Sequence, residues 1–387
     1  MFFYGEFIMA PGSNENPTLL ELRTALVEYI LSRFDLPDTK AADVIVAWAF
    51  GTYCFKEFNA FPRLVFYGPK QSGKSKMLFL LSKVCCQAIY SVIPTVSTLY
   101  RLAQEKKATI LLDEFNLYRP SEKADLVAIL RQGYKKGAVV PRSEKAFVKF
   151  EEGGRKGRKE MYLVAEYEVY CPIALAGLTI NDDQLLDRCI AINMLRSDNL
   201  DIVSKTIDEE DFVVESKITS MSWAELRHHI ECAIIENSKS IVDSYHLLNE
   251  TVSPMSGRDQ EVWFPLLAIA HAACEGKHHP FWDNIHAFMR DYIAKKKEED
   301  LSSFDAQVLE AIGQLDLTTH FTAKDIADIL NQDLEPKEQV TTQAVGQALK
   351  RLGINYKISQ GRKRYFITEE EYKLKRQRFG MSENGGS

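Results

Sequence analysis

What this sequence of 387 residues has little of narrows it first. No run of about 18 uninterrupted apolar residues occurs. The start, MFFYGEFIMAPGS, has no basic segment ahead of its apolar stretch, and Gly5 and Glu6 interrupt that stretch. Neither a membrane span nor a secretory leader is expected, and a soluble chain is. The seven cysteines (Cys54, Cys85, Cys86, Cys171, Cys189, Cys232, Cys274) never form a C-x-x-C pair and sit mostly among apolar neighbours. That pattern argues against zinc and a disulfide framework and for a reducing, cytoplasmic compartment. Basic residues are not in excess: 48 Lys and Arg against 54 Asp and Glu give a net charge of -6. No whole-chain cationic field exists, so any nucleic-acid contact must come from local basic patches. Internal repeats and low-complexity tracts are absent too. Composition near the globular average excludes disorder and fibres, and the length exceeds one ordinary core, so two or three packed units are expected.

Along the chain, TLLELRTALVEYILSRF and AADVIVAWAFGTYCFKEF place apolar residues at helical spacing, with Asp35, Pro37 and Asp38 marking the turn between two helices. A βα alternation follows. RLVFYG, ATILLDE and YCPIALAGL read as buried strands, and KSKMLFLLSKVCC and SEKADLVAILRQGY as helices, the order of a parallel, doubly wound sheet. Before the last strand, AVVPRSEKAFVKFEEGGRKGRKEMYLVAEYEVY alternates on either side of a Gly-rich basic tip, Gly153 to Lys159, and reads as an inserted β-hairpin. After about Asn199 the pattern is helical again, ending in the charged stretch Lys295 to Asp300, expected to be a linker. Leu301 to about Phe379 reads helix, helix, helix and a strand pair turning at Gln360-Gly361, the winged-helix order.

FYGPKQSGKSKML holds the spacing Gly-x-x-x-x-Gly-Lys-Ser between an apolar strand and a helix. Gly68 and Gly73 let backbone N–H groups curl around phosphate oxygens, with Pro69, Lys70, Gln71 and Ser72 completing the loop and Lys76 in the helix it opens. Lys74 is expected at the β- and γ-phosphates and Ser75 on Mg2+. Further on, TILLDEF ends a strand in two carboxylates, Asp113 for the Mg2+ shell and Glu114 to polarise the attacking water. ATP and Mg2+ are therefore the expected cofactors, and ATP hydrolysis the expected reaction.

The segments FPRLVFYGPKQSGKSKML, KKATILLDEFN, LRQGYKKGAVVPR, CPIALAGL, LLDRCIAI and SGRDQEVWFPLLAIA together resemble the AAA+ class. More narrowly they resemble the ATPase part of minichromosome-maintenance-like helicases and primase-associated ATPases of phages, plasmids and other mobile elements. They span roughly residues 61 to 270. The resemblance implies an α/β P-loop (AAA+) ATPase core (61–200) carrying the hairpin (138–170). Beside it, the patterns along the chain give an N-terminal helical segment (1–60), a helical lid (201–298), a C-terminal winged-helix domain (301–379) and a flexible tail (380–387). The resemblance matches Arg188 to an arginine finger acting on a neighbouring subunit, and Arg258 to a sensor-2 position. A homo-oligomer, a hexameric ring, is implied. At the sensor-1 position the chain departs from the usual ending, and either Thr179 or Asn181 is placed to orient water. Asn181 is preferred, with a turn-forming role as the alternative.

Two basic patches suit DNA. Arg155, Lys156, Arg158 and Lys159 at the hairpin tip are expected on a single strand in the ring's pore; the plainer reading is a solvated loop. Thr342, Gln343, Gln347 and Lys350 share the polar face of a helix whose other face is apolar, and Lys357, Arg362, Lys363 and Arg364 follow with Tyr356 and Tyr365 interleaved. These are expected on duplex DNA. His228-His229 and His278-His279 are adjacent pairs, better explained by polar helix ends than by metal. Trp223, Trp263 and Trp282 recur in amphipathic helices, where packing is the default.

The expectation is thus an ATP-driven DNA helicase or translocase of a mobile element, with a primase or another replication protein as a further partner. The alternative is a non-translocating AAA+ switch, a loader or regulator that assembles on DNA and recruits a partner.

Overall fold

The computed structural model describes residues 16–91, 95–114, 120–152, 155–178, 182–207, 209, 211–212, 221–251, 255, 257–301, 303–332, 334–335, 339–359, 361–379 and 381. At 120–125, 147–152, 155–160, 211–212, 300 and 378 only the backbone is described. The chain divides into two compact units, Met1–Met289 and Arg290–Ser387.

The first unit opens with helices α1 (Leu19–Leu31) and α2 (Ala41–Cys54). Thr18 starts α1 through a capping box with Glu21, each side chain satisfying a backbone N–H the helix leaves open. Nearly every side of α2 is buried, Tyr53 being the exception, so these helices belong to the core of the unit. A buried ion pair fixes them: Arg23 donates to both oxygens of Asp43 at 2.5 and 2.7 Å, and Asn284 donates to the same carboxylate at 2.7 Å.

Strand β1 (Arg63–Tyr67) leads into α3 (Lys74–Val84), then β2 (Ala88–Ser91), α4 (Val96–Arg101), β3 (Thr109–Leu112) and α5 (Pro120–Gln132). Two long strands follow, β4 (Val139–Glu152) and β5 (Arg155–Glu168), then β6 (Ile173–Gly177), α6 (Asp183–Leu186) and β7 (Cys189–Asn193). Five strands form an all-parallel sheet in the order β2-β3-β6-β1-β7. β1, β3 and β6 are buried on almost every residue, as parallel strands covered on both faces must be. β4 and β5 leave this sheet and pair only with each other, antiparallel over their full length.

The short α7 (Leu200–Ser204) and the strand pair β8 (Asp211–Phe212) and β9 (Met221–Ser222) precede the long helices α8 (Trp223–Glu250), α9 (Gly257–Ala273) and α10 (Pro280–Leu301). Trp223 and Trp263 are buried; Trp282 is half-buried between the rings of His271 and His286. The charged stretch expected as a linker lies inside α10. Its Lys295 and Glu299 face each other at 4.0 Å one helical turn apart, so the alternating charges support a solvated helix rather than interrupt one. Among the described residues no helix is long and apolar enough to cross a membrane.

All seven cysteines are free. Burial pushes the Cys171 thiol up to about 11 and the Cys189 thiol up to about 12, even though the Arg63 guanidinium opposes both shifts.

The second unit holds α11 (Phe304–Gly313), α12 (Ala323–Leu330), α13 (Thr342–Arg351), β10 (Asn355–Ser359), β11 (Arg362–Phe366) and α14 (Glu369–Arg378). β10 and β11 are antiparallel, and Phe321 bridges to Tyr365 beside them. Its core gathers Leu309, Ile312, Ile326, Val345, Leu349 and Ile367. Arg351 chelates Asp305 at 2.9 and 2.5 Å and so ties α13 to α11. Gly313 leaves room for the Tyr372 hydroxyl of α14, which would lie 1.9 Å from a Cβ there. Met381, expected in the tail, is 8% exposed and packs into this core because its apolar side chain covers what α14 leaves open; residues 380 and 382–387 lie outside the described residues.

Candidate functional site

The loop between β1 and α3 takes three left-handed turns, at Gly68 (φ 143°), Gln71 (φ 63°) and Gly73 (φ 84°). Gly68 is required twice over: a Cβ would meet the Met194 carbonyl oxygen at 2.1 Å, and no L side chain is at ease at that φ. Met194 is held there by its N–H donating to the Tyr67 carbonyl at 2.7 Å. Pro69, Lys70 and Gln71 are exposed, while Ser72 is buried and donates to the Pro69 carbonyl at 2.9 Å. Lys74, first residue of α3, donates to the Gly68 carbonyl at 2.9 Å, to the Pro69 carbonyl and to Ser72 Oγ at 3.1 Å. Burial draws its ammonium below the usual lysine range, and the Asp113 carboxylate opposes that shift. Ser75 is exposed in the first turn of α3. Lys76, expected at the phosphates, is committed elsewhere: its ammonium donates to the Arg33 carbonyl at 3.0 Å and the Lys205 carbonyl at 2.6 Å. One helical position beyond Ser75, it faces the turn after α1.

At the same carboxyl edge of the sheet β3 ends in Asp113 and Glu114. β6 lies between β3 and β1, so the two carboxylates stand two strand spacings from the loop, about 10 Å. Asp113 is buried; one oxygen accepts from the Tyr90 hydroxyl at 2.6 Å and the other from the Glu114 N–H at 2.9 Å. Glu114 is exposed and left-handed (φ 51°), the kind of conformation a non-glycine residue holds only where its surroundings impose it. Tyr90 and Arg196 are absent from the sequence-based set. Tyr90 reaches Asp113 from the neighbouring strand β2, and burial followed by the bond to Asp113 keeps its hydroxyl protonated. Arg196, just past β7, donates to the Gln71 side chain in the loop. Neither carries a motif, and only the strand order brings them in. Thr179 and Asn181, after β6, lie outside the described residues.

Arg188 and Arg258 are together, but at the other end of β1. Arg188 accepts from the Arg63 N–H through its carbonyl, and its side chain donates to the Gln184 carbonyl. Its guanidinium stands 5.5 Å from the Tyr134 ring centroid, and that of Arg258 stands 5.0 Å from the same ring. The glycine loop of residues 68–73 follows the opposite end of the strand, about 13 Å away at 3.3 Å per residue, so both guanidiniums lie toward the far end from it.

The basic hairpin tip differs from expectation. Arg155 to Lys159 are not a loose turn: they are the first residues of β5, in register with Glu152, Glu151, Phe150, Lys149 and Val148 in that order. Alternation continues through the basic residues, so the ladder does too; Gly153 and Gly154 lie outside the described residues. The stem is anchored on the segment before β3. Arg101 pairs with Glu144 at 3.0 Å, Tyr167 donates to Glu144, and Lys107 pairs with Glu168.

On α13, Thr342, Gln343, Gln347 and Lys350 are exposed while Val345, Ala348 and Leu349 are buried. Lys357, Arg362, Lys363 and Arg364 on β10 and β11 are exposed, and Lys363 stands 4.3 Å from the centroid of the Tyr356 ring.

No protein-family model and no curated protein matches the chain. Among solved structures it is similar to the SCCmec type IV Cch active helicase, at 13% identity and a TM-score of 0.42 over 92% of this chain and 68% of that one. It is similar to the NrS-1 C-terminal region at 15% identity and a TM-score of 0.34, covering 92% and 76%. The JCV helicase follows at 15% and 0.27, covering 71% and 61%. With every score below 0.5, the site is read from its own residues.

Proposed function

We propose that the chain is an ATP-hydrolysing, oligomeric DNA helicase or translocase of a mobile element, an AAA+ core with a helical lid and a winged-helix second unit. The observation that carries the reading is the pairing, at one edge of the parallel sheet, of a glycine loop that admits no Cβ at Gly68 with a buried Asp113 and a strained Glu114 across β6. These residues fit Mg2+ and ATP: the loop offers backbone N–H groups and the partly buried Lys74 ammonium to phosphates, and Ser75 and Asp113 offer hard oxygens. Bound Mg-ATP supplies the phosphoanhydride bond and the divalent charge that eases its cleavage. The chain binds the phosphates through residues 68–73, offsets their charge with Lys74, and takes a proton from water at the Glu114 carboxylate. Tyr90 holds Asp113 in place.

Arg188 and Arg258, remote from their own loop, act on the nucleotide of a neighbouring copy, which makes assembly, as a hexameric ring, part of the mechanism. The β4–β5 hairpin takes single-stranded DNA in the pore, and the exposed face of α13 with β10 and β11 takes duplex.

The test measures ATP hydrolysis with and without single-stranded and duplex DNA, for the native chain and Glu114→Gln, with oligomer mass recorded in the same samples. Strand-stimulated turnover that falls about a hundredfold or more in the variant, at a ring-sized mass, is expected. Stimulation by duplex alone favours a loader or regulator, and turnover indifferent to DNA overturns the motor.

A further inference from the structure

At the amino end of β1 three cations gather around one ring, and two of them share a carboxylate. Glu261, one turn beyond Arg258 on α9, accepts from Arg258 at 2.7 Å and from the Tyr134 hydroxyl at 2.7 Å through one oxygen, and from Lys135 at 2.6 Å through the other. The guanidinium of Arg188 covers the same Tyr134 ring, has no carboxylate partner among the described residues, and buries an Nε–H that finds no acceptor. Two positive charges are thus left over in a patch whose Arg258 and Glu261 side chains are each about a third exposed. A buried donor without an acceptor and an excess of positive charge both call for an anion with more than one charge.

We propose that Lys135, Arg188 and Arg258 form a receiving site for the triphosphate held by a second copy of the chain, and that Glu261 occupies this site until the phosphates displace it. The proposal rests on the oligomeric ATPase reading and adds to it a third cation, Lys135, and an internal competitor. The exchange is favourable because a triphosphate satisfies three cations where one carboxylate reaches two and the Tyr134 hydroxyl. Released from Tyr134, the Glu261 side chain stays at a position about a third exposed, where water reaches it. Glu261 therefore sets the threshold for assembly: subunits join when the neighbour carries a full triphosphate and remain apart when it does not.

The test separates this site from the loop. Calorimetry with inorganic tripolyphosphate is run on the full chain carrying Lys74→Ala, which weakens the loop's own hold on phosphate. Binding is expected. In the same background Glu261→Gln, which keeps the side chain's shape, tightens it about tenfold by removing one competing charge, and Arg188→Ala with Arg258→Ala abolishes it. Tyr134→Phe, which unties the hydroxyl from Glu261, tightens it less. No binding, or weaker binding in Glu261→Gln, overturns the proposal and makes Glu261 a brace. A second arm follows self-association in Mg-ATP by sedimentation with Lys74 intact, where Glu261→Gln is expected to assemble at about a tenfold lower protein concentration. Tripolyphosphate binding with no self-association at any concentration overturns the second-copy reading and with it the ring, while a ring without DNA-stimulated turnover overturns only the motor.

Discussion

The tip of the long hairpin and the short hairpin each carry four basic residues but hold them differently. In β4–β5 the register sets Arg155 against Glu152 and Lys156 against Glu151, and the stem's Arg101 and Lys107 contacts end on Glu144 and Glu168. In β10–β11 the register sets Lys357 against Arg364, Lys363 against Ile358 and Arg362 against Ser359, and among the described residues none of these four cations has a carboxylate within 4 Å. Charge counted along a sequence is therefore not charge available to a ligand. On the proposed reading the short hairpin offers its exposed cations to duplex DNA, while the long one sets two of its tip cations in register with glutamates and is braced at its base. The first suits a steady grip on DNA and the second a contact whose strength changes with its surroundings.

Three changes break or sharpen that contrast. The largest effect is expected from Arg362→Ala with Lys363→Ala and Arg364→Ala. Binding of duplex DNA, followed by anisotropy across a salt series, should lose about 0.9 in log–log slope per contact removed, roughly 2 to 3 in all, with strand-stimulated turnover affected much less. A slope that does not change would mean the short hairpin does not meet phosphate. A smaller effect is expected from Arg155→Ala with Lys156→Ala, which should lower strand-stimulated turnover while shifting the single-strand salt slope by only about 0.7 per contact. If duplex affinity falls as far as in the first variant, the two hairpins are doing one job. The smallest is the reverse change, Glu151→Gln with Glu152→Gln, which should raise single-strand affinity by a few-fold, since each cross-strand charge pair is worth about 0.2–1 kcal/mol. Weaker binding there would show that the carboxylates hold the hairpin in shape rather than compete for its cations.

How much of this was legible in advance follows from where each signal lives. The turn at residues 68–73 was legible because its glycines are demanded by local backbone geometry, and the place of Asp113 and Glu114 because they follow an apolar strand. The exposed and buried faces of α13 could be read because helical spacing is a local property. β2 escaped: four residues, none of them fully buried, carry too little pattern to stand out. That the stretch at Lys295 is helical was not legible, because a charge run looks alike in an irregular segment and in a solvated helix until the turn-by-turn pairing is counted. Tyr90 and Glu261 leave no trace in the sequence, since each matters only through a partner delivered by a different element, Asp113 in one case and Tyr134, 127 residues away, in the other.

The buried Arg23–Asp43–Asn284 junction bears on how the chain is made. Asp43 and Asn284 are 241 residues apart, and at about 5–20 residues per second the ribosome needs roughly ten to fifty seconds to deliver the second after the first. Through that interval α2, apolar on almost every side, has no α9 or α10 to cover it and stays exposed in the nascent chain. The closing of the first unit thus waits for its last helices, the kind of non-local topology that folds slowly.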